Sequence, residues 1–565
     1  MQSECIRPPA LGPLPDGSGQ NRRRPRDSAR QPQRPGRRNH PGEPFKQEPF
    51  FELRLRRAES DSTVSHPGIV SGETRTTAGP PDRRTARTCD APIGQNGTVT
   101  NGYRIVMTLA FYPRGGSAQV VRYMAGALQT LGNDITVACG SLGPPGVRSN
   151  ASTFFEGLDV HALDFTEAIE WFDEGRDPMT APVPIHPSFE DRPGVPDRVF
   201  ASVDDDAYLL QVATWQKLLE DVGPPDVYHI HHLTHVNDAI DRLGARPTIA
   251  HLHGTELKML EQIRGGGSER WAHAAAWEQR LVAAAHRVDR VIVISKTDRD
   301  LAIELLELDP ARIDIVPNGV DTSSFVPLGL AGGPRLDHWR RWLVEDPQGW
   351  DESGLPGTIR YTDDDIDRFF IDATTGELRP TLLYVGRFLD FKRVPLLIRA
   401  YAEVRGALGN EAPPLVIWGG YPGEWEGEHP HSVAAALGVE GVFFVGWHGH
   451  DELATGFNCA DVFVAPSVEE PFGQVYLEAM ACGMPVIATT TGGPPSFVNT
   501  DRERLNGWLV APDDVDALAR AMIEASADMS TRTERGRSAR RAVVEGFDWL
   551  RIAERVDGIY REILT

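Results

Sequence analysis

The chain has 565 residues, more than one hydrophobic core usually organises, so two domains plus extensions are expected from length alone. Its formal net charge is −22, and because residues 1–100 hold 17 Lys and Arg against 11 Asp and Glu, the rest stands near −28, which disfavours nucleic acid or an anionic membrane surface as its partner. The five cysteines (Cys5, Cys89, Cys139, Cys459, Cys482) are scattered, odd in number and without Cys-x-x-Cys spacing, which excludes an evident disulfide framework or zinc site and points to a reducing cytoplasm.

Residues 1–100 are rich in Pro, Arg, Gly, Ser and Gln, with clusters such as Arg22-Arg-Arg-Pro-Arg26, and are read as a disordered extension. That tail is either a non-specific one, an electrostatic arm, or an overlong reading of the start. No run of about 18 apolar residues and no signal-peptide apolar region occurs, so neither a transmembrane segment nor export by that route is expected. From Arg104 short apolar runs alternate with helical stretches, the pattern of parallel βαβ units. Strands are predicted at residues 104–110, 135–138, 227–230, 248–252, 291–294 and 313–316, within a first α/β domain over 101–326. Residues 152–200 read as a long irregular stretch of that domain. A linker or small subdomain spans 327–380; its Trp339, Trp342 and Trp350 beside Asp363-Asp-Asp365 suit an acceptor lid, a dimer contact or a surface subdomain. A second strand series follows at 381–385, 415–418, 442–445, 462–465, 485–488 and 508–510, within a domain over 381–546 closed by a helix at 547–565. Two doubly wound parallel sheets facing each other make a cleft, and ligands of such sheets bind at the carboxyl ends of the strands.

Several motifs sit at those strand ends. Phe111-Tyr-Pro-Arg-Gly-Gly116 leads from the first strand into a helix, where paired glycines let backbone N–H groups approach an anion. His251-Leu-His-Gly-Thr-Glu256 ends another strand; His229, His231, His232 and His235 lie near in sequence, but their spacing along a strand and turn fits no metal-ligand set. In Val385-Gly-Arg-Phe-Leu-Asp-Phe-Lys-Arg-Val-Pro395, Arg387 and Lys392 precede a helix opened by Pro395, and two cations at a helix start suit a diphosphate. In Glu470-Pro-Phe-Gly-Gln-Val-Tyr-Leu-Glu478, Pro471 and Gly473 force Glu470 onto a tight loop, and the helix beginning near Gln474 places Glu478 in its first turns.

The last string, continuing through Ala479-Met-Ala-Cys-Gly-Met-Pro-Val-Ile487, resembles the signature of retaining family-4 glycosyltransferases, which have the two-domain GT-B fold; other motifs occur in that family's order over residues 102–325 and 380–562. The resemblance implies a role for each motif. Arg387 and Lys392 contact the donor diphosphate. Gly115 and Gly116 lie against the phosphates or acceptor, and His253 faces the donor sugar from the opposite domain. Glu470, with the backbone of Phe472 and Gly473, holds the sugar hydroxyls; Glu478 holds the ribose; and Val445-Gly-Trp-His448 lies where the base is held by backbone contacts, its Trp447 being either at the base or in the core. Trp418-Gly-Gly-Tyr-Pro-Gly-Glu424 departs from the family's Gly-Asp-Gly-Pro turn. Val316-Pro-Asn-Gly-Val-Asp321 resembles the end of the family's first domain, and Phe547-Asp-Trp549 its crossing back to it.

The expected activity is therefore transfer of a hexose-type unit from a nucleoside diphosphate sugar, UDP-sugar by default, to an unidentified hydroxyl acceptor, with retention. No cofactor or metal is expected, since Arg387 and Lys392 supply the charge that Mg²⁺ would otherwise provide. The alternatives are a glycoside hydrolase using Glu470 and Glu478, a GT-B epimerase or phosphorylase, and a non-enzymatic nucleotide-sugar sensor with a nucleic-acid-binding tail.

Overall fold

The computed structural model describes residues 102–191, 194–266, 270–501 and 504–565, so the extension expected over 1–100 lies outside the described residues. Its first sheet has seven parallel strands, β1 (Arg104–Leu109), β2 (Asp134–Ser141), β3 (Asp159–Asp164), β4 (Val227–His231), β5 (Thr248–His251), β6 (Arg290–Val293) and β7 (Ile313–Ile315), in the order β3-β2-β1-β4-β5-β6-β7. The second has six, β8 (Leu382–Val385), β9 (Leu415–Trp418), β10 (Val442–Gly446), β11 (Val462–Val464), β12 (Val486–Thr489) and β13 (Gly507–Val510), in the order β10-β9-β8-β11-β12-β13. The central strands β4, β5, β9 and β11 are buried along their whole length, as expected where helices cover both faces of a parallel sheet.

Five helices position the site residues and the domain crossing: α1 (Gly115–Thr130), α2 (Thr255–Arg264), α3 (Val394–Leu408), α4 (Gln474–Ala481) and α5 (Trp549–Leu564). Each of the first four starts just beyond the carboxyl end of a strand. Helix α5 buries Trp549, Ile552, Val556 and Tyr560 in the core of the first sheet, although the residues before it belong to the second domain. The two crossings of the chain are tied together where Val320 N donates to Phe547 O at 2.8 Å. Among the described residues no helix is long and apolar enough to cross a membrane.

Two sequence expectations are corrected. The stretch 152–200 is not uniformly irregular: it holds the edge strand β3 and a helix at Thr166–Asp173. The tryptophans of the insertion form neither an exposed lid nor a contact surface, because Trp339, Trp342 and Trp350 are 1%, 5% and 1% exposed and lie in the core of the second domain. Trp339 Nε1 donates to Cys459 O at 3.1 Å and Trp350 Nε1 to Gly420 O at 3.2 Å.

The insertion also covers the open edge of β10. Tyr361 Oη accepts from Phe444 N at 2.9 Å and donates to Val442 O at 3.3 Å, so one side chain satisfies two groups that a further strand would otherwise pair.

Candidate functional site

On the second domain, the loop after β8 carries Arg387 and then a turn, Asp390–Lys392, before α3. Tyr384 Oη holds this loop by donating to Arg387 O at 2.9 Å. The loop after β11 carries Glu470, and Lys392 Nζ donates to Glu470 Oε2 at 2.5 Å; these two side chains are 14% and 10% exposed. Arg387 is set apart from that pair, 56% exposed and 4.0 Å from Glu190 of the first domain.

Glycines shape the Glu470 loop. Gly473 caps α4 in the left-handed region (φ 97°), and Gly493 N donates to Glu470 O at 2.8 Å. A Cβ on Gly492 would stand 2.4 Å from the same carbonyl oxygen, so the close approach requires glycine. Phe472 is buried, its ring against Phe497 and Phe547, so only its backbone is available to a ligand. Glu478 lies in the second turn of α4, 5% exposed, and accepts from His450 Nε2 at 3.2 Å. Burial pulls the His450 pKa down, but the hydrogen bond and the charge of Glu478 outweigh it and leave the imidazole above its ordinary value.

Trp447 is 48% exposed and is not a core residue. It stands edge to face with Tyr421, 46% exposed, at a centroid separation of 5.9 Å. Tyr421 follows β9 in the turn that departs from the family pattern.

Across the cleft, Gly115 has φ +67°, and a Cβ on Gly115 or Gly116 would meet nothing within 4 Å, so the start of α1 presents open backbone. Arg114, at its N-cap, forms an ion pair with the buried Asp197. The loop after β5 places His253 beside Gly254, whose Cβ would lie 3.6 Å from that of Pro471. The His253 and Glu470 loops therefore face each other. Lys258 of α2 reinforces this by donating to Glu469 O at 3.2 Å, and Arg148 pairs with Asp451 at 2.8 Å.

The histidines noted in the sequence, whose spacing along a strand and turn fits no metal-ligand set, converge in space. His229, His231 and His251 have ring nitrogens within 4.8 Å of one another, because β4 and β5 are adjacent and His231 pairs in register with His251. The rings nevertheless stack: His229 on His231 at 4°, His229 on His251 at 22° and His231 on His251 at 25°. His229 bonds His251 and Tyr560, with His229 Nδ1 2.6 Å from Tyr560 Oη, and His231 bonds His253, while Nε2 of His231 and of His251 is buried without a partner. Burial holds His231, His251 and His253 well below the ordinary histidine pKa and lowers His229 to about 3, so these rings are neutral.

The first domain matches the family described as Glycosyltransferase Family 4 over residues 114–324, and the second matches glycosyl transferases group 1 over residues 379–528. An alpha-maltose-1-phosphate synthase of Mycobacterium tuberculosis is 30% identical over 318 residues, 54% of this chain and 69% of that protein. The chain belongs to the group 1, family 4 glycosyltransferases. A further member of the family, a D-inositol 3-phosphate glycosyltransferase of Salinispora arenicola, is 32% identical over 294 residues, covering 51% of this chain; the chain spans little more than half, 57%, of that relative. Among solved structures, sucrose-phosphate synthase from Thermosynechococcus elongatus superposes with a TM-score of 0.55 at 19% identity, covering 81% of this chain and 99% of that one. Anabaena HepE in complex with UDP and glucose gives 0.53 at 16% identity, with 81% and 99% covered. These likenesses and the two parallel sheets identify the GT-B fold.

The family signature thus led to Glu470, Lys392, Glu478 and His253, which the fold brings to the strand ends on both sides of one cleft. The partners of these residues and of Trp447 were not read from the sequence: His450 bonds Glu478, His231 bonds His253 and Tyr421 stands edge to face with Trp447, each pair far apart along the chain.

Proposed function

We propose that this protein transfers a hexose-type unit from a nucleoside diphosphate sugar to a hydroxyl of a small acceptor, with retention of anomeric configuration. The observation that carries this reading is the Lys392–Glu470 pair, 2.5 Å apart at the carboxyl ends of β8 and β11 and faced by the His253 loop. Lys392 and Arg387 stabilise negative charge growing on the departing diphosphate, an interaction stronger in the transition state than in the ground state. A diphosphate oxygen then accepts the acceptor's proton on the face the diphosphate leaves. Glu470 orients the sugar hydroxyls, aided by the backbone of Phe472 and Gly473. Glu478 receives the ribose hydroxyls, and Trp447 borders the base.

Uridine is the first base to test. The charge on Lys392 and Arg387 makes a divalent cation unnecessary in this scheme. The relatives' names, D-inositol 3-phosphate glycosyltransferase and alpha-maltose-1-phosphate synthase, support trying polyol and sugar phosphates first as acceptors. A reducing cytoplasm is the compartment we assign, supported by the buried free thiols Cys139, Cys459 and Cys482.

The test is nucleoside diphosphate release from each nucleotide sugar with these acceptors, followed by NMR of the product's anomeric centre. Acceptor-dependent release with retained configuration supports the reading; an inverted product refutes the mechanism.

A further inference from the structure

We propose that His231 is a positioning residue that fixes His253 as its Nδ1–H tautomer, so that His253 presents a hydrogen-bond donor to an oxygen of the bound sugar. The inference rests on the transferase reading for the sugar, but its tautomer half stands on the structure alone. His231 Nδ1 and His253 Nε2 are 3.0 Å apart, and His253 Nδ1 has no other protein partner among the described residues. His253 is 9% exposed, whereas His229, His231 and His251 are fully buried.

Each ring is neutral and carries one proton, so one ring must donate and the other accept. The remaining nitrogen of His231, Nε2, is buried without a partner. If it held the proton, an N–H would be orphaned in the core; if bare, only a lone pair is. Orphaned buried N–H groups are the rarer case. The proton therefore sits on His231 Nδ1 and is donated to His253 Nε2, which leaves the proton of His253 on Nδ1, toward the cleft.

The neighbouring bonds are consistent with this assignment. His232 Nδ1 lies 2.7 Å from Glu256 Oε1 and donates to it, because a carboxylate can only accept. His251 Nε2 is also buried without a partner, which places its proton on Nδ1 and makes it the donor to His229 Nε2 at 3.3 Å. His229 then donates from Nδ1 to Tyr560 Oη. One assignment thus satisfies every bond in the stack, whereas reversing the His231–His253 bond orphans an N–H.

The experiment is long-range ¹H–¹⁵N correlation NMR on the full chain with ¹⁵N-labelled histidine, the His253 signals being assigned by their loss in His253→Gln. The expected result is a protonated Nδ1 and a bare Nε2 on His253. A protonated Nε2 overturns the proposal, whatever the activity. Activity provides the second arm. His231→Leu removes the donor, and kcat/KM for the nucleotide sugar should fall about tenfold, the loss of one hydrogen bond, while inhibition by the free nucleoside diphosphate is unchanged. His231→Asn, whose amide nitrogen stands near the position of Nδ1, should restore most of the rate and the tautomer. Equal losses in both variants, with His253 still Nδ1-protonated in each, would overturn the positioning role. Absence of turnover with any donor would defeat the transferase reading instead, and leaves the tautomer result standing on its own.

Discussion

Lys392 and Glu470 form a hydrogen-bonded ion pair, Nζ to Oε2 at 2.5 Å, between loops that end two adjacent strands of the second sheet. With side chains 14% and 10% exposed, the pair is shielded enough that removing one partner strands the other. Glu470→Gln keeps shape and hydrogen bonding but removes the charge; turnover should fall about 100-fold or more, with donor affinity changed only a few-fold. Lys392→Met should abolish turnover and lower stability by about 3 kcal/mol, measured by denaturant unfolding. Unchanged turnover in Glu470→Gln with normal donor binding would remove Glu470 from the mechanism.

Gly492→Ala tests the backbone that shapes this loop. The new Cβ would lie 2.4 Å from Glu470 O and 2.8 Å from Glu470 N, at φ +72°. The loop must move, costing about 1–3 kcal/mol and most of the turnover. A variant with wild-type rate and melting temperature would show that Glu470 tolerates the shift.

Replacing Tyr361 by Phe probes the cover over the sheet edge. It leaves Phe444 N and Val442 O without their side-chain partner and should cost about 1–3 kcal/mol. The uncovered edge should also raise the aggregation rate on heating, readable by light scattering.

Stability should drop in mild acid. His229 and His235 titrate at about 3 in the fold, and His231, His251 and His253 lie well below the ordinary value, all through burial first. Above about pH 6.5 these rings are neutral in both states and contribute no pH dependence. Below that the unfolded chain binds protons the fold refuses, so stability falls with pH by about 1.4 kcal/mol per unit for each ring. Some groups oppose this. His450 is raised by Glu478 despite burial, buried Asp298 is raised to about 6 and burial also raises Asp241; all bind protons more readily when folded. His338 and His429, lowered to about 4, and His431 and His448, also lowered by burial, add to the five rings, so a steep loss is predicted from pH 6.5 to 5. A flat denaturation midpoint over that range would contradict the buried neutral stack.

Most of the fold is written locally. Twelve of the thirteen strands follow from short apolar runs bounded by turns, because strands buried on both faces need such runs. Strand β3 escaped because Asp159-Val-His-Ala-Leu-Asp164 lies at the sheet edge and is only partly buried, so its sequence reads as a loop. The insertion misled for another reason: tryptophans have the same composition whether they build a surface or fill a core, and only the open edge of β10 decides which. Within the site, Glu470, Glu478 and Lys392 were legible through their motifs. The pairings of His450 with Glu478 and of His231 with His253 were not, since side chains from separate elements, far apart along the chain, leave no spacing to read.

The most direct test of the central claim is the melting temperature of the full chain with UDP, GDP, ADP and their common sugar conjugates, each with and without EDTA. A ligand at 100 times its Kd stabilises by about 2.7 kcal/mol, so a true donor must raise the midpoint measurably. A nucleotide-sugar transferase that holds its diphosphate with Lys392 and Arg387 predicts a rise confined to one nucleotide class and undiminished by EDTA. No shift with any nucleoside diphosphate or conjugate would contradict it.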